Sequence, residues 1–361
     1  MDMSSLGELV RQRGPFASVY LDASHDTEDA AKAMELRWRG VRQELARQGA
    51  DEATLDAMEG AALEPVVGKS GRALIAAHGR LLLDRVLPRP PAVETVRWSD
   101  LPHLLPLATW TEPTVPHVVV LVDRAGADLH GYDGRGERAT EVHGEEHPLH
   151  KIGGGGWAHK RLQNTVEETA RRNAMRVAEE ADRLVSEVDA RLLILGGEVQ
   201  ARADVREQLS LRCRDVLIEV EGATLAEGGD DAAFDHAVQS LVAQYQFDLD
   251  NDVVEEFTAQ SGRPDGLAVQ GLAPVVEALR EAKVAALLVS DPAVGDRTVW
   301  SGDDPAQVAL RENDLRGLGV EHVGEHRADE ALGTAAAATG AQVVVVDVTD
   351  LREGVGALLR Y

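Results

Sequence analysis

Residues 150–180, HKIGGGGWAHKRLQNTVEETARRNAMRVAEE, hold the side chains of this chain best suited to act on a bound ligand. Four consecutive glycines precede Trp157, whose indole could stack on a nucleobase, and His159, whose imidazole could accept a proton near neutral pH. Between Lys151 and Arg176 the chain carries six basic side chains against two acidic ones. Lysine and arginine dominate phosphate binding, so the stretch favours a nucleic-acid ligand.

A glycine loop followed by one long helix must position these residues. Apolar side chains recur at helical spacing on one stripe, formed by Leu162, Val166, Ala170, Val177, Ala181, Leu184 and Val188. Arg161, Arg172 and Arg176 fall near the opposite side, flanked by Lys160 and Arg171. The pattern predicts a basic rod that could follow a nucleic-acid backbone. An ordinary solvated helix face is the alternative, because charges opposite an apolar stripe are common.

A nucleotide-binding loop fits the glycine run poorly. A phosphate-binding loop requires Gly-Lys-Ser/Thr at the start of a helix directly after an apolar strand, whereas Trp157 follows Gly156 here. The dinucleotide-binding motif fails for the same reason. We therefore predict a conformationally free loop with an aromatic tip at a helix N-terminus, and no cofactor.

Histidines surround the loop at positions 143, 147, 150 and 159, with Glu145 and Glu146 between them. They could supply metal ligands, but nothing in this polar loop positions carboxylates to orient the imidazoles, so we predict no metal site. No serine-hydrolase, zinc-protease, kinase or Cys/His nucleophile motif is present. Cys213 is the single cysteine, which excludes a disulfide within the chain and favours a buried structural thiol.

The length of the chain and its charge restrict the number of domains and the class of ligand. A chain of 361 residues predicts two or three domains, and its formal charge of −25 argues at first sight against nucleic acid. The sign of the charge on one surface, and not the net charge of the chain, determines which ligand that surface can bind. The basic stretch is such a local exception, because it lies within the most acidic third of the chain. Apolar runs are too short to cross a bilayer and no signal-peptide pattern opens the chain, so we expect a soluble cytoplasmic protein without membrane contact.

Helical and strand patterns alternate along the chain and predict an α/β protein with partly parallel sheets. Proline-rich residues 113–116 and the segment QSGRPDG near 260–266 are typical of linkers. The predicted domains are 1–114, 115–262 and 263–361.

The segment from Gly155-Gly156 through WAHKRLQNTVEETARRNAMRVAEEA resembles the central domain of class-one peptide-chain release factors and of the Pelota ribosome-rescue proteins. In those proteins a Gly-Gly-Gln loop precedes an arginine-rich helix. AALLVSDP and TVWSG similarly resemble the start of that family's third domain. Seven residues stand at positions of the family's helix motif: Arg161, Arg171, Arg172, Asn173, Val177, Ala178 and Glu179.

The resemblance is greatest to the bacterial branch that includes the Balon-type hibernation factors. It implies three α/β domains, the central one like RNase H and the last like a ribosomal-protein α/β sandwich. It also implies a monomer in the A site of the 70S ribosome, with the first domain towards the decoding centre, and elongation factor Tu as a possible partner. The implied contacts to 23S rRNA near the peptidyl transferase centre are Lys151, Gly153, Gly154, Gly155, Gly156, Trp157, His159, Lys160, Arg161, Arg171, Arg172 and Arg176.

Trp157 replaces the glutamine that helps release factors place the hydrolytic water. An indole offers one hydrogen-bond donor and no acceptor, so we predict no ordinary termination activity. The family's stop-codon-reading motifs are also missing from residues 1–114. A related eukaryotic tRNA-releasing factor uses a GxxQ pattern, and here His159 stands at the fourth position of the pattern that begins at Gly156.

Three hypotheses follow. The first is a ribosome-binding hibernation or rescue factor that blocks the A site without chemistry, as part of a stress response. The second is a peptidyl-tRNA hydrolase or tRNA-releasing enzyme that uses His159 as its base. The third is an acidic scaffold that binds a protein partner.

Overall fold

The computed structural model describes residues 6–25, 29–109, 115–124, 126–133, 136–143, 157–221, 231–290, 294–295, 297–346 and 351–361; the side chains of residues 157–167 lie outside this description. The chain forms two compact units, one made of residues 1–112 with 250–361 and the other of residues 113–249. Helices and strands alternate in both, which confirms the predicted α/β class.

The amino-terminal part of the first unit is a four-stranded antiparallel sheet of order β5-β4-β1-β6 with two helices on one face. Strand β1 alternates between two cores, since Ala17, Val19 and Leu21 face the helices while Phe16 and Tyr20 face the opposite side. The elements are α1 (Gly7–Val10), β1 (Phe16–Asp22), β2 (Ser24–His25), α2 (Ala30–Gln48), α3 (Glu52–Leu63), β3 (Val66–Val67), β4 (Gly71–Ala77), β5 (Arg80–Leu87), β6 (Thr95–Ser99) and α4 (Leu105–Thr109).

The carboxyl-terminal part of that unit contains a mixed sheet of order β12-β18-β13-β17 and a smaller sheet of order β15-β14-β16. Its elements are β12 (Ala268–Gln270), α9 (Leu272–Arg280), β13 (Val284–Val289), β14 (Thr298–Ser301), β15 (Val308–Ala309), α10 (Glu312–Gly317), β16 (Gly324–Arg327), α11 (Ala328–Thr339), β17 (Gln342–Val345) and β18 (Val355–Leu359).

One hydrophobic core joins these two parts. Phe16, Tyr20 and Ile75 of the first sheet belong to the same buried cluster as Leu279 of α9 and Leu332 of α11. The predicted domains 1–114 and 263–361 therefore pack as one unit in this structure, because each covers an apolar face of the other. The division into three domains itself stays a prediction.

The second unit is built on a five-stranded sheet of order β11-β10-β7-β8-β9. Strands β7, β8 and β9 pair antiparallel, while β10 and β11 run parallel to β7. Its elements are β7 (His117–Val122), β8 (Gly126–Asp133), β9 (Gly136–His143), α5 (Trp157–Glu187), β10 (Leu192–Gly197), α6 (Val199–Gln208), α7 (Leu211–Asp215), β11 (Leu217–Glu219) and α8 (Asp231–Ser261), whose last turns belong to the first unit.

Helices cover both faces of this sheet. Val118, Val120 and Val122 of β7 face α5, α6 and α7, while Val119 and the intervening side chains face α8. The near-continuous apolar runs in β7 and β10 follow from this double coverage. Among the described residues, no helix combines the length and apolar character that crossing a membrane requires.

Candidate nucleic-acid interface

Helix α5 is the element that carries most of the predicted ligand-binding residues. It begins at Trp157, directly after the glycine run, and its 31 residues span roughly 46 Å. The predicted apolar stripe is buried from Val177 through Ala181 and Leu184 to Val188, and its member Ala170 is half-buried. These residues pack on β7, β8, α6 and α7.

Hydrogen bonds at opposite ends of β7 hold this helix and the residues that follow it on the sheet. The helix leaves the sheet at Ala190 and Arg191, where the Arg191 N–H donates to Pro116 O just before β7 at 2.7 Å. At the other end of β7, the Asn173 side-chain amide donates to the main-chain carbonyl of Arg124 at 3.1 Å. Residues 157–172 precede this contact and span roughly 24 Å of helix, and Thr169 within them is only 5% exposed.

Three of the predicted binding residues have described side chains, and all three are exposed: Arg171, Arg172 and Arg176. Met175, which is 44% exposed, lies between them on the outer face. Neither Arg171 nor Arg176 is ion-paired with a described residue. The outer face near residue 173 therefore offers guanidinium groups to a ligand.

One turn later, charged side chains of α5 pair with one another. Arg183 donates to both Glu180 and Glu187, and these hydrogen bonds raise the pKa of its guanidinium. Hydrogen bonding from Arg183 in turn lowers the pKa of the Glu180 carboxyl. Arg183 is thus paired within the helix, as on an ordinary solvated face, whereas Arg171 and Arg176 have no ion-pair partner among the described residues.

The remaining predicted binding residues all precede Arg171 in the chain. Lys151, Gly153, Gly154, Gly155 and Gly156 lie outside the described residues. The side chains of Trp157, His159, Lys160 and Arg161 do too, although their backbone forms the first turns of α5. Of the four histidines considered as metal ligands, only His143 has a described side chain; it is exposed and lies 3.3 Å from a carboxylate oxygen of Glu141.

Sequence reasoning missed an open groove of about 550 Å³ between α5 and the edge strand β9. It is lined by Thr140, Glu141, Val142, His143, Arg176, Glu179, Glu180 and Arg183. Because basic and acidic groups alternate around it, the groove has no clear preference for a ligand of either sign.

A second feature invisible in the sequence is the ion pair between Arg124 and Glu198, whose Nη2 and Oε1 atoms lie 2.8 Å apart. Arg124 follows β7 and Glu198 follows β10, so both lie at the edge where these parallel strands end. Ligands of α/β sheets commonly bind outside this edge. The Gly196-Gly197 pair at the end of β10 is a sequence feature that could have indicated a site at this edge of the sheet.

One group of potential metal ligands is buried in the first unit. Ligand atoms of His103, Asp329 and Glu330 lie within 4.8 Å of one another. However, Nη1 of Arg97 lies 3.1 Å from His103 Nδ1, 3.0 Å from Asp329 Oδ2 and 3.3 Å from Glu330 Oε1. The guanidinium already supplies the cation that these groups would hold, so the cluster does not fit a metal.

Cys213 is 1% exposed, and burial raises the pKa of its thiol to about 12. The predicted burial of this thiol is confirmed, and with a pKa raised this far it forms little thiolate near neutral pH.

Comparison with known proteins finds a matching family model and a sequence relative that spans almost the whole chain. Residues 116–263 match the family described as bacterial archaeo-eukaryotic release factor family 2. The uncharacterized protein Rv2629 of Mycobacterium tuberculosis H37Rv is 36% identical over 358 residues, which cover 98% of this chain and 95% of that protein.

Solved structures to which this chain is similar include two of archaeal Pelota. Pelota in a model of the ribosome-bound archaeal Pelota–ABCE1 complex is 16% identical, with 99% of this chain and 94% of that chain covered and a TM-score of 0.39. Archaeoglobus fulgidus Pelota is 13% identical, with 99% and 92% covered and a TM-score of 0.34. Such low scores describe a distant likeness.

Proposed function

Because the chain belongs to bacterial archaeo-eukaryotic release factor family 2, within the release factor–Pelota superfamily, we propose that it is a ribosome-binding factor of the hibernation or rescue type. It occupies the A site of the 70S ribosome and directs the glycine loop at 153–156 towards the peptidyl transferase centre. Occupation of that centre blocks accommodation of aminoacyl-tRNA, and no bond is broken.

The shape and charge of α5 carry this proposal. The helix continues for roughly 24 Å from the Asn173 contact to its first residue, Trp157, a length that suits insertion into a narrow site. Exposed Arg171, Arg172 and Arg176 face the solvent on the same helix. Guanidinium groups bind phosphate oxygens in a bidentate manner, which suits rRNA backbone.

The strongly negative total charge restricts how the protein docks. With 62 acidic and 37 basic residues, most of the surface is repelled by rRNA. Binding through one basic helix resolves the conflict, because long-range repulsion from the body is screened over about 8 Å at physiological salt. The acidic faces then point to solvent or to basic ribosomal proteins.

Charge reversal on α5 tests the proposal. The triple variant Arg171→Glu/Arg172→Glu/Arg176→Glu should weaken cosedimentation with 70S ribosomes and lower the salt dependence of binding by about two to three in log–log slope. A matched control is Arg47→Glu/Arg206→Glu/Arg212→Glu, which makes the same change in net charge at other exposed positions. Equal losses in both variants would trace binding to total charge and not to α5.

A hydrolase remains the second candidate because His159 lies on the first turn of α5, directly after the glycine run. In that case the imidazole acts as a general base in peptidyl-tRNA hydrolysis or in tRNA release. His159→Ala would then abolish product release and leave ribosome binding intact. A wild-type protein that binds ribosomes without releasing peptide or tRNA excludes this mechanism.

A further inference from the structure

The carboxyl ends of β7 and β10 lie side by side, and the backbone there leaves little freedom. Gly197 adopts a φ of 116°, and a Cβ atom at this position would come within 1.9 Å of the carbonyl oxygen of Val122. Only glycine permits this approach. The Glu198 N–H then donates to the same Val122 oxygen at 3.0 Å, which fixes where the Glu198 side chain departs.

Arg124 is anchored from the other side. Asp123 N–H donates to Gly126 O at 3.0 Å, and Gly126 N–H donates to Asp123 Oδ1 at 2.8 Å, which closes the turn between β7 and β8. Asn173, which is 4% exposed, donates to the Arg124 carbonyl from helix α5. The main chain of Arg124 is therefore held by the basic helix, while 62% of its side chain remains exposed.

Glu198 is the partner of Arg124 in the free protein, but this ion pair is easily exchanged. Both side chains are substantially exposed, at 62% and 44%, and exposed pairs contribute only about 0–1 kcal/mol. Glu198 is also the N-cap residue of α6, yet its side chain makes no capping hydrogen bond. If Arg124 turned away, the carboxylate would still face the positive end of the helix dipole.

We propose that Arg124 is a further residue that contacts rRNA phosphate, in addition to the exposed arginines of α5. Asn173 positions the main chain of Arg124, and Glu198 pairs with its guanidinium in the free protein. The inference rests on the proposed function and deepens it. On binding, an rRNA phosphate replaces the Glu198 carboxylate as the partner of the guanidinium, since each group can accept two parallel hydrogen bonds from the planar guanidinium fork. Asn173 thus couples the position of this contact to the helix that carries Arg171 and Arg172.

The test measures dissociation constants with purified 70S ribosomes over a range of salt concentrations. Arg124→Ala should weaken binding roughly tenfold, as expected for loss of one charge-assisted hydrogen-bonded contact, and should lower the salt slope by about one. Arg124→Lys should restore the slope but only part of the affinity, because an ammonium cannot bind in a bidentate manner. Glu198→Gln should tighten binding, because it removes the competing carboxylate.

Asn173 is tested through its coupling to Arg124. Asn173→Ala should weaken binding, and the double variant with Arg124→Ala should bind no more weakly than Arg124→Ala alone. Thermal unfolding of each variant shows whether the fold persists. If Asn173→Ala fails to fold, the Arg124 and Glu198 variants still decide the proposal.

The outcomes separate this inference from the proposed function. Unchanged affinity and slope in Arg124→Ala, alongside weakened binding of the α5 triple variant, would overturn the role of Arg124 and leave the ribosome-binding function in place. Weaker binding of Glu198→Gln would overturn the role of Glu198 as a competitor. A wild-type protein that does not bind ribosomes would overturn both proposals.

Discussion

Arg97 and Asp329 form an ion pair of 3.0 Å although 232 residues separate them in the chain. Arg97 lies on β6, while Asp329 and its neighbour Glu330 lie in the first turn of α11, and both carboxylates are buried. Arg327 also pairs with Asp329 at 3.0 Å. The network joins the amino- and carboxyl-terminal parts of the first unit at a polar point within their shared hydrophobic core.

Removal of Arg97 should destabilise the first unit strongly. Arg97→Met leaves Glu330 and part of Asp329 without their cation, and loss of one partner of a buried ion pair costs about 3–5 kcal/mol. Urea denaturation measures the free energy of unfolding. The control is Arg47→Met, whose partner Glu44 is partly exposed on the surface of α2, and it should lower the free energy of unfolding far less. Similar losses in the two variants would contradict the assigned role.

His103 should make the stability of the protein depend on pH. Burial lowers the pKa of its imidazole to about 3, and the nearby Arg97 adds to this effect. Between pH 6.5 and 3 the unfolded chain therefore binds a proton that the folded chain does not, so the free energy of unfolding decreases as pH falls. Burial also raises the pKa of the Glu330 carboxyl. This shift acts in the opposite direction: it stabilises the folded protein at low pH, and the stabilisation is lost as pH rises through the folded-state pKa.

Comparison of wild type with His103→Asn isolates the histidine contribution. Between pH 7 and pH 5 the wild type should lose up to about 2 kcal/mol relative to the variant, since one pH unit corresponds to about 1.4 kcal/mol for one proton. Urea denaturation at the two pH values checks this. A difference between the proteins that is the same at both pH values would show that His103 does not titrate as a buried neutral group.

Cys213 should be chemically silent in the folded protein. A thiol with its pKa raised to about 12 and 1% exposure forms almost no accessible thiolate at pH 8. We expect no iodoacetamide adduct by intact-protein mass spectrometry in buffer, and complete labelling in 6 M guanidinium. Rapid labelling of the native protein, at the rate of a free small-molecule thiol, would contradict the buried position.

Local signals predicted most of the secondary structure. The His78-Gly79 pair predicted a tight turn between two strands, and the structure has positive φ values of 51° and 71° there, between β4 and β5. The alanine-rich segment ADEALGTAAAATG predicted a helix, which ends at Gly340 in the left-handed conformation. In both cases the residues that determine the structure are neighbours in the sequence.

Long-range contacts could not be predicted in this way. The segment LAEGGDDAAFDHAVQSLVAQYQF predicts a helix that ends near Phe247, but α8 continues to Ser261, because Phe257 packs in a core with Leu288 and Val344. Nothing near Arg97 in sequence indicates that its partners follow residue 328. The contact from Asn173 to Arg124 is likewise set by the folding of α5 onto the sheet. At the candidate site, sequence predicted the helix and its exposed arginines but not the anchor that holds them.

The loop chemistry gives a further prediction. Trp157→Gln restores the glutamine that release factors have after Gly-Gly, in a chain where the flanking Gly156 is unchanged. If the tryptophan is what prevents placement of the hydrolytic water, this variant should release some peptide from peptidyl-tRNA-loaded ribosomes, whereas Trp157→Phe should not. The amount of labelled peptide that each variant releases, measured after the reaction is quenched, checks this prediction. Equal release by both variants would show that the residue at position 157 does not control hydrolysis.

The central claim is tested most directly by cosedimentation of the purified protein with vacant and with peptidyl-tRNA-loaded bacterial 70S ribosomes, with the pellet assayed for intact peptidyl-tRNA. We predict binding in a salt-dependent manner with the tRNA ester intact. Binding with loss of the ester would contradict the non-catalytic account and identify His159 as a candidate base. Absence of the protein from both pellets at low salt would contradict ribosome binding itself and leave an acidic protein-interaction scaffold as the better description.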